Sequence, residues 1–364
     1  MPPPLMPTGE PMTIRQLAAQ LGLSKSAVAY ALRGSPEVSE ETRDRVQLLA
    51  RELGYVPNPV ASAFLQQVRS QGTRRYQANL AFLQAGRNGE RRMHTSGPPS
   101  EARFLQDLMA GAQDRAQELG YGLDEVYVGG IGARTLTRML LARGVLGVAV
   151  APLALALGHL TLDWSKFAAA TFGYSMARPL VHRLVHDHAE GLRTALRICR
   201  RKGFTRIGLA LSLDSDMRSN RQWSAAYLGA QLTLTPRRRL APLLIPFSQF
   251  TTGAICHWVA ETRPDVILVH ATGCNLELPG ELAKLSRPIP LVALDHEKSD
   301  ACAGIDQQFR LSGRLLMDTL SSQILHNQRG IPETPILSMV KGLWVDHESL
   351  APKKKSARKS ARPG

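Results

Sequence analysis

The sequence lacks the markers of several protein classes. Its four cysteines, Cys199, Cys256, Cys274 and Cys302, stand far apart with no CxxC pair, which argues against both a disulfide scaffold and a zinc ribbon. No secretory apolar core precedes them. A membrane span needs about 18 uncharged apolar residues, and the longest apolar run, Val145 to Leu157, is shorter and is broken by Gly147 and Pro152. No GxSxG, HExxH or P-loop string occurs, and no glycine-rich phosphate loop follows the first strand candidate. Without a nucleophile, base and orienting group in view, neither an enzyme nor a bound cofactor is expected. The default is a soluble cytoplasmic protein.

What is present is length, apolar content and positive charge. The chain has 364 residues, of which 44% are hydrophobic, enough for a core and too many for one small domain. Its formal net charge of +15 favours polyanionic partners. The excess is uneven: residues 1–75 carry +3, residues 76–352 carry +6, and residues 353–364 carry another +6 with no carboxylate. That basic tail has no apolar side chain larger than alanine, so nothing offsets the entropy of ordering it. Both a solubilising arm and a non-specific contact with DNA phosphates fit it. Residues 1–11 hold five prolines and are read as a disordered leader.

After a polar, arginine-rich stretch near residues 70–78, short β-branched and aliphatic runs alternate with helical patterns. Strands are expected at Asn79–Leu83, Leu123–Val128, Val145–Pro152, Ala168–Phe172, Leu180–Val185, Arg206–Leu211, Leu243–Ile245, Val266–His270, Leu291–Leu294 and Ile336–Val340. Helices are expected at Ala102–Leu119, Ala133–Ala142, Ala189–Arg201, Arg221–Leu232, Phe250–Glu261, Glu277–Leu285 and Arg310–Gln328. Repeated strand-then-helix order means an α/β protein with parallel strands and crossover helices on both faces. So many strands suit two doubly wound sheets.

Residues 12–56 read differently, as three short helices. Thr13 and Gln16 make a capping-box pair, Ile14, Leu17, Ala18 and Leu21 share one face, and Gly22 provides the stop. Ser24 caps a second helix from Lys25 to about Leu32, with Val28, Ala31 and Leu32 inward, and Gly34 ends it. Ser39, followed by Glu40 and Glu41 where negative charge suits the helix dipole, opens a third helix with Val46, Leu49, Ala50 and Leu53 inward, and Gly54 ends it. Two helices joined by a tight turn and braced by a third form a helix-turn-helix, whose second helix enters the major groove. Beyond it, Asn58 as cap with Pro59 at the first helical position opens a short helix to about Val68, too short to persist alone in water.

The string TIRQLAAQLGLSKSAVAYALRGSPEVSEETRDRVQLLARELGYVPNPVA at 13–61 resembles the DNA-binding headpiece of the LacI/GalR family of transcription regulators. The Thr-Ile-x-x-Leu-Ala start, the VSEETRxRV segment and the LGYxPN exit carry the resemblance. It implies base reading by Lys25 and Ser26, with Tyr30 one turn on. It implies further DNA contacts at Thr13, Ser24, Ala27, Arg33, Tyr55, Asn58 and Ala61. Residues 57–75 become a hinge helix and linker, with Phe64, beside Leu65, as the apolar wedge in the minor groove; the alternative is that Phe64 packs on the next domain. Ala29 and Tyr30 depart from the family's usual serine and arginine, implying one phosphate contact fewer and an unusual target sequence.

Residues 76–352 resemble the family's effector-binding core, a periplasmic-binding-protein-like pair of doubly wound parallel sheets, through Gly191 in HDHAEG, KGFTRIGLAL, LVALDHEKSD and AGIDQQFRLSG. The resemblance divides it into subdomain one, about 76–184 and 308–330, and subdomain two, about 185–307 and 331–352. It turns Arg218, Asn220, Arg221, Trp223 and Asp295 toward a ligand cleft, where carboxylate and guanidinium suit a polyol. The family's Asn-Asp pair after the Val266–His270 strand is replaced by HATGCN, a departure from the ordinary sugar pocket. Trp164, Phe172, Tyr174 and Trp223 suit a core as well as a cleft. His182, His186 and His188, spaced four then two, do not share one helix face, and histidines flanking a strand end are usually solvated or hydrogen bonded, which argues against a metal site.

The expectation is a homodimeric, nucleoid-associated regulator, a repressor on a pseudo-palindromic double-stranded operator. A small-molecule effector, a sugar among the candidates, would control it. The alternative is a solute-binding protein whose helical segment serves as an interaction module; deletion of residues 1–70 would separate them, since only the regulator would lose a DNA shift.

Overall fold

The computed structural model describes residues 14–32, 38–53, 78–84, 99–153, 157–270, 278–283, 288–297 and 300–352. Outside them lie the leader, Thr13, Arg33, Tyr55, Asn58, Ala61, Phe64, Leu65 with the rest of the expected hinge, and the basic tail. The headpiece has α1 (Ile14–Leu21), α2 (Lys25–Leu32) and α3 (Glu40–Glu52). The core runs β1 (Ala78–Gln84), α4 (Pro99–Glu118), β2 (Tyr121–Tyr127), α5 (Ala133–Ala142), β3 (Val145–Val150), β4 (Gly158–His159), β5 (Ala168–Phe172), β6 (Met176–Arg178), β7 (His182–His186) and α6 (His188–Arg201). It continues with β8 (Ile207–Ser212), α7 (Leu213–Arg218), α8 (Gln222–Gln231), β9 (Leu243–Ile245), α9 (Thr252–Thr262), β10 (Val266–Val269), α10 (Leu278–Ala283) and β11 (Leu291–Ala293). Last come β12 (Ala303–Asp306), α11 (Phe309–Leu325), β13 (Leu337–Val340) and β14 (Leu343–Val345).

Two six-stranded sheets result, in the orders β13-β7-β5-β3-β1-β2 and β14-β12-β11-β10-β8-β9. Every pairing within them is parallel except β12 with β14. Parallel sheets need cover on both faces, and alternation along β1 supplies it. Leu80 and Phe82 join Leu108, Ala112, Leu316 and Leu320 on one side, while Ala81 and Leu83 join Leu136, Leu140 and Phe167 on the other. In the second lobe Leu209 and Leu211 face Leu192, Leu196, Trp223 and Tyr227, while Ala210 faces Ile255 and Trp258.

The helices α4 and α11 cross with their backbones almost touching. A Cβ on Gly313 would stand 1.9 Å from the Leu108 carbonyl oxygen, and one on Gly111 would stand 1.9 Å from that of Arg310. Both positions therefore require glycine. Three ion pairs edge the same seam: Arg115–Asp318 at 2.7 Å, Arg314–Glu118 at 2.7 Å and Arg310–Asp114 at 2.6 Å.

The chain passes between the lobes three times, at Asp187, at Gln307–Gln308 and at Lys341–Gly342. The crossings are tied to one another, because Asp187 N donates to Val340 O at 2.9 Å and Gln308 Nε2 donates to Lys341 O at 2.8 Å. These positions differ from the expected subdomain limits. Val185, His186 and the strand Leu337–Val340 belong to the first sheet, so the return falls beyond residue 340 rather than near 330.

Ala133–Ala142, Ala168–Phe172 and Leu243–Ile245 fall where the sequence pattern puts them, and the other expected elements shift at their ends by a few residues. The strands β4, β6, β12 and β14 and the helix α7 were not expected. Each is two to six residues long, too short to show a period. Among the described residues no helix is long and apolar enough to cross a membrane.

Candidate functional site

In the headpiece the second helix is fixed at both ends by local chemistry. Gly22 adopts φ +66°, a left-handed conformation that glycine adopts without strain. From there Leu23 N donates to Ala18 O at 3.0 Å and Gly22 N to Ala19 O at 3.4 Å, the paired bonds that close a helix end. Ser24 Oγ then accepts from Ala27 N at 3.1 Å, starting α2 after a turn of three residues, 22–24. At its other end Gln47 Nε2 donates to Ala31 O at 3.2 Å, so α3 covers one of the carbonyls α2 leaves open. Ser39 Oγ accepts from Thr42 N at 3.4 Å and caps α3.

One small core holds the three helices: Leu17, Ala18, Val28, Ala31, Val46 and Ala50 are buried, with Leu21, Leu32, Leu49 and Leu53 against them. Every described inward residue of the sequence pattern is thus inward. Ser24, Lys25 and Tyr30 are exposed and Ala27 is half-buried, while the Ser26 side chain lies outside the described residues. An ammonium, a hydroxyl and a phenol stand on the free side of a rigidly seated helix, the groups that donate to guanine, to several base edges and to phosphate.

The second site is the junction of the lobes, at the carboxyl ends of the strands where α/β proteins bind ligands. A ladder of rings crosses it. Phe104, Phe309, Phe172 and His186 come from the first lobe, and His188, Trp223 and His270 from the second. Successive centroids are 5.2 Å for Phe104–Phe309, 4.7 Å for Phe309–His186, 5.6 Å for His186–His188, 4.5 Å for His188–Trp223 and 5.3 Å for Trp223–His270. His270 Nε2 lies 3.0 Å from Asp295 Oδ2. Polar bonds join the lobes as well: Arg218 Nη1 donates to Leu153 O at 3.1 Å, Gln222 Nε2 to Tyr174 Oη at 2.6 Å, and Arg103 Nη1 meets Glu297 Oε2 at 3.3 Å.

Of the expected cleft residues, Arg218, Trp223 and Asp295 meet here. Asn220 and Arg221 lie next to Arg218 in sequence, in the turn that follows it. Both have positive φ, 55° and 58°, and both are exposed in the turn between α7 and α8, where Arg221 N donates to Asp216 O at 2.7 Å. Buried Asp216 fixes that turn by accepting from Ser224 N at 3.1 Å and Ser224 Oγ at 2.7 Å. Phe172 lines the junction, Tyr174 bridges it, and Trp164 sits in the core of the first lobe.

The histidines are the junction residues that sequence reasoning set aside. His186 is buried with Nε2 3.1 Å from Ser312 Oγ, and burial pushes its pKa down to about 3. Burial, and then the Arg218 guanidinium, lower that of His270 to about 4. Its contact with Asp295 at neutral pH is therefore a hydrogen bond from an Nε2–H tautomer, not an ion pair. His188 is lowered by burial and by the neighbouring His186 and His270, and its Nδ1 is buried without a hydrogen-bond partner. The buried Oε1 atoms of Gln222 and Gln307 also lack one. Among the described residues no three His, Cys, Asp or Glu side chains could hold a metal ion. Only the HDH spacing hinted at a cluster, since His270 arrives from another strand.

Comparison with known proteins places these geometries. The lacI family of bacterial regulatory proteins matches residues 13–58. The HTH-type transcriptional regulator AglR of Rhizobium meliloti (strain 1021) is 53% identical over 51 residues, 14% of this chain and 14% of that protein. The chain thus matches about one seventh of this relative's length. Two solved structures share the fold of nearly the whole chain. A Lac repressor dimer bound to operator and the anti-inducer ONPF matches with TM-score 0.52 at 17% identity, over 94% of this chain and 100% of that one. The transcriptional regulator CelR in complex with cellobiose matches with TM-score 0.51 at 17% identity, over 93% and 99%.

Proposed function

Because residues 13–58 match the lacI family of bacterial regulatory proteins, we propose that this chain belongs to that family and is a cytoplasmic, sequence-specific DNA-binding transcription regulator, a repressor acting as a homodimer on a pseudo-palindromic operator. Two copies related by a two-fold axis would each lay α2 in the major groove of one half-site. The observation that carries this reading is the seating of α2: capped by Ser24, clamped by Gln47 and buried through Val28 and Ala31, it leaves Lys25 and Tyr30 outward. Arg33, Tyr55, Asn58, Ala61, Phe64 and Leu65 belong to the same reading as phosphate and minor-groove contacts.

The core supplies regulation. A small molecule entering the junction would compete with contacts that now close the lobes, among them Arg218 to Leu153 and Gln222 to Tyr174. The unpartnered His188 Nδ1 and Gln222 and Gln307 Oε1 atoms would take hydrogen bonds from a hydroxyl-rich ligand such as a sugar. A ligand shifts lobe closure only by its differential affinity for open and closed forms.

Footprinting of the full chain on its native upstream DNA tests the regulator. The expected result is a symmetric protected site, and Lys25→Ala should relax base preference at one position of each half-site by roughly 1–3 kcal/mol. Protection without two-fold symmetry, or equal affinity for random duplexes, would overturn it.

A further inference from the structure

The second lobe carries an unbalanced arginine face at the end opposite the junction. The strands β8, β9 and β10 run parallel, so the loops entering them, 202–206, 232–242 and 263–265, gather at one end of the sheet. Arg200 and Arg201 close α6 beside the first loop, Arg237, Arg238 and Arg239 occupy the second, and Arg263 lies in the third. All six are exposed. They are brought together by Arg206, whose Nε donates to Arg263 O at 3.0 Å and whose Nη1 donates to Arg237 O at 3.0 Å. Arg200 and Arg238 border one shallow hollow floored by Tyr227 and Gln231.

Carboxylates do not balance this charge. Asp265 is buried, accepting from Thr205 N and Arg206 N at 2.9 and 3.0 Å, and exposed Glu261 pairs with His257 at 3.4 Å. Lys202 is matched by Asp346 at 2.8 Å. Arg200 and Arg239 spend donors on backbone carbonyls. The guanidinium groups of Arg201, Arg237, Arg238 and Arg263 form no hydrogen bond or ion pair among the described residues. Cations offset the dipole of a helix that ends beside them, which accounts for Arg201 and Arg263 but not for the Arg237–Arg239 run.

We infer that this end of the second lobe is an additional, sequence-independent contact for the phosphate backbone of duplex DNA, separate from the reading helix. Guanidinium forks match phosphate oxygens. The three loops expose Leu232 but no aromatic side chain, whereas protein partners are anchored by aromatics and methionine. The same lobe seats Leu350 in its core, and the sequence that follows adds six Lys and Arg with no carboxylate at 353–364. The inference rests on the regulator reading only for the choice of polyanion.

The test uses the full chain and a random-sequence duplex of about 30 base pairs, with affinity measured by fluorescence anisotropy between roughly 50 and 200 mM salt. In R201Q/R237Q/R238Q/R263Q the slope of log affinity against log salt should fall by about 2 to 3, because each phosphate contact contributes about 0.9. Affinity at low salt should drop at least about tenfold, and the fourfold lysine counterpart should keep most of both. If the glutamine variant unfolds, R237Q/R238Q carries the test with about half the effect. An unchanged slope in a folded variant overturns the inference, as does equally tight binding of polyglutamate, which would make the partner an acidic polypeptide. A missing symmetric footprint would break the regulator reading and leave this slope unaltered, so the two failures are distinguishable.

Discussion

In the headpiece, the bonds that shape the reading helix join residues close in sequence: Ser24 with Ala27, three apart, and Gln47 with Ala31, sixteen apart. At the lobe junction the separations are 65 for Arg218 to Leu153, 126 for His186 to Ser312 and 194 for Arg103 to Glu297. The first site is therefore a property of one short segment, while the second exists only when three chain crossings are made correctly. The headpiece also has little in reserve. Six buried side chains hold it, against four larger clusters in the core. A single loss should thus unfold the headpiece by itself, whereas the core should fail only where backbones meet.

Gly313→Ala puts that contrast under the greatest load. Its Cβ would lie 1.9 Å from Leu108 O and 2.7 Å from Ala112 N. Two helix backbones must then separate, which exceeds ordinary overpacking and should cost about 4 kcal/mol. Calorimetry should show the core transition lowered and the headpiece transition unmoved; a core that melts at the parent temperature would refute the close crossing. Leu17→Ala is the converse. Removing a fully buried leucine should cost about 3 kcal/mol, enough to unfold a headpiece of this size, with DNA affinity lost and the core transition intact. If both transitions fell together, the independence of the two regions would be wrong.

The same contrast explains what the sequence disclosed. Gly22, Ser24 and Ser39 declared the helix ends because stop and cap chemistry is local, and the spacing of Leu17, Val28, Ala31 and Val46 declared the face. Alternating strand and helix patterns disclosed the sheets for a similar reason. What stayed hidden was relational. Leu337–Val340 reads as a strand, but nothing in those four residues says which sheet takes it, so the return crossing was set too early. Asn220 and Arg221 stand beside Arg218 in sequence, yet nothing in that spacing signals that both take positive φ. His270 and His188 are 82 positions apart, and no spacing rule joins them through Trp223.

Acid offers a milder probe, since the described headpiece contains no histidine while the junction holds three. The folded-state pKa of His186, about 3, lies below the unfolded value near 6.5. The unfolded chain therefore takes up the proton first, and stability present above pH 6.5 is lost as pH falls toward 3. Between pH 6.5 and 5, His186 alone should remove about 2 kcal/mol; His188 and His270, shifted the same way, add to it. Urea titration should show the core weakening in this window and His186→Gln flattening the trend. A pH-independent core would place these rings in solvent.

The smallest effect separates two duties of one hydroxyl. Ser24 Oγ accepts from Ala27 N at 3.1 Å, and the hydroxyl is exposed at the start of an eight-residue helix. Ser24→Ala should cost the headpiece about 1 kcal/mol by freeing that amide, and fraying of the first turn should lower DNA affinity through Lys25. Ser24→Asp keeps the acceptor, and its charge suits the helix N-terminus, so the headpiece transition should stay at the parent temperature. The carboxylate would nonetheless face phosphate, and DNA affinity should fall most at low salt, flattening the salt dependence as the loss of a cation does. An aspartate variant that binds DNA like the parent would show that Ser24 only caps, and that α2 approaches the groove through Lys25 and Tyr30 without it.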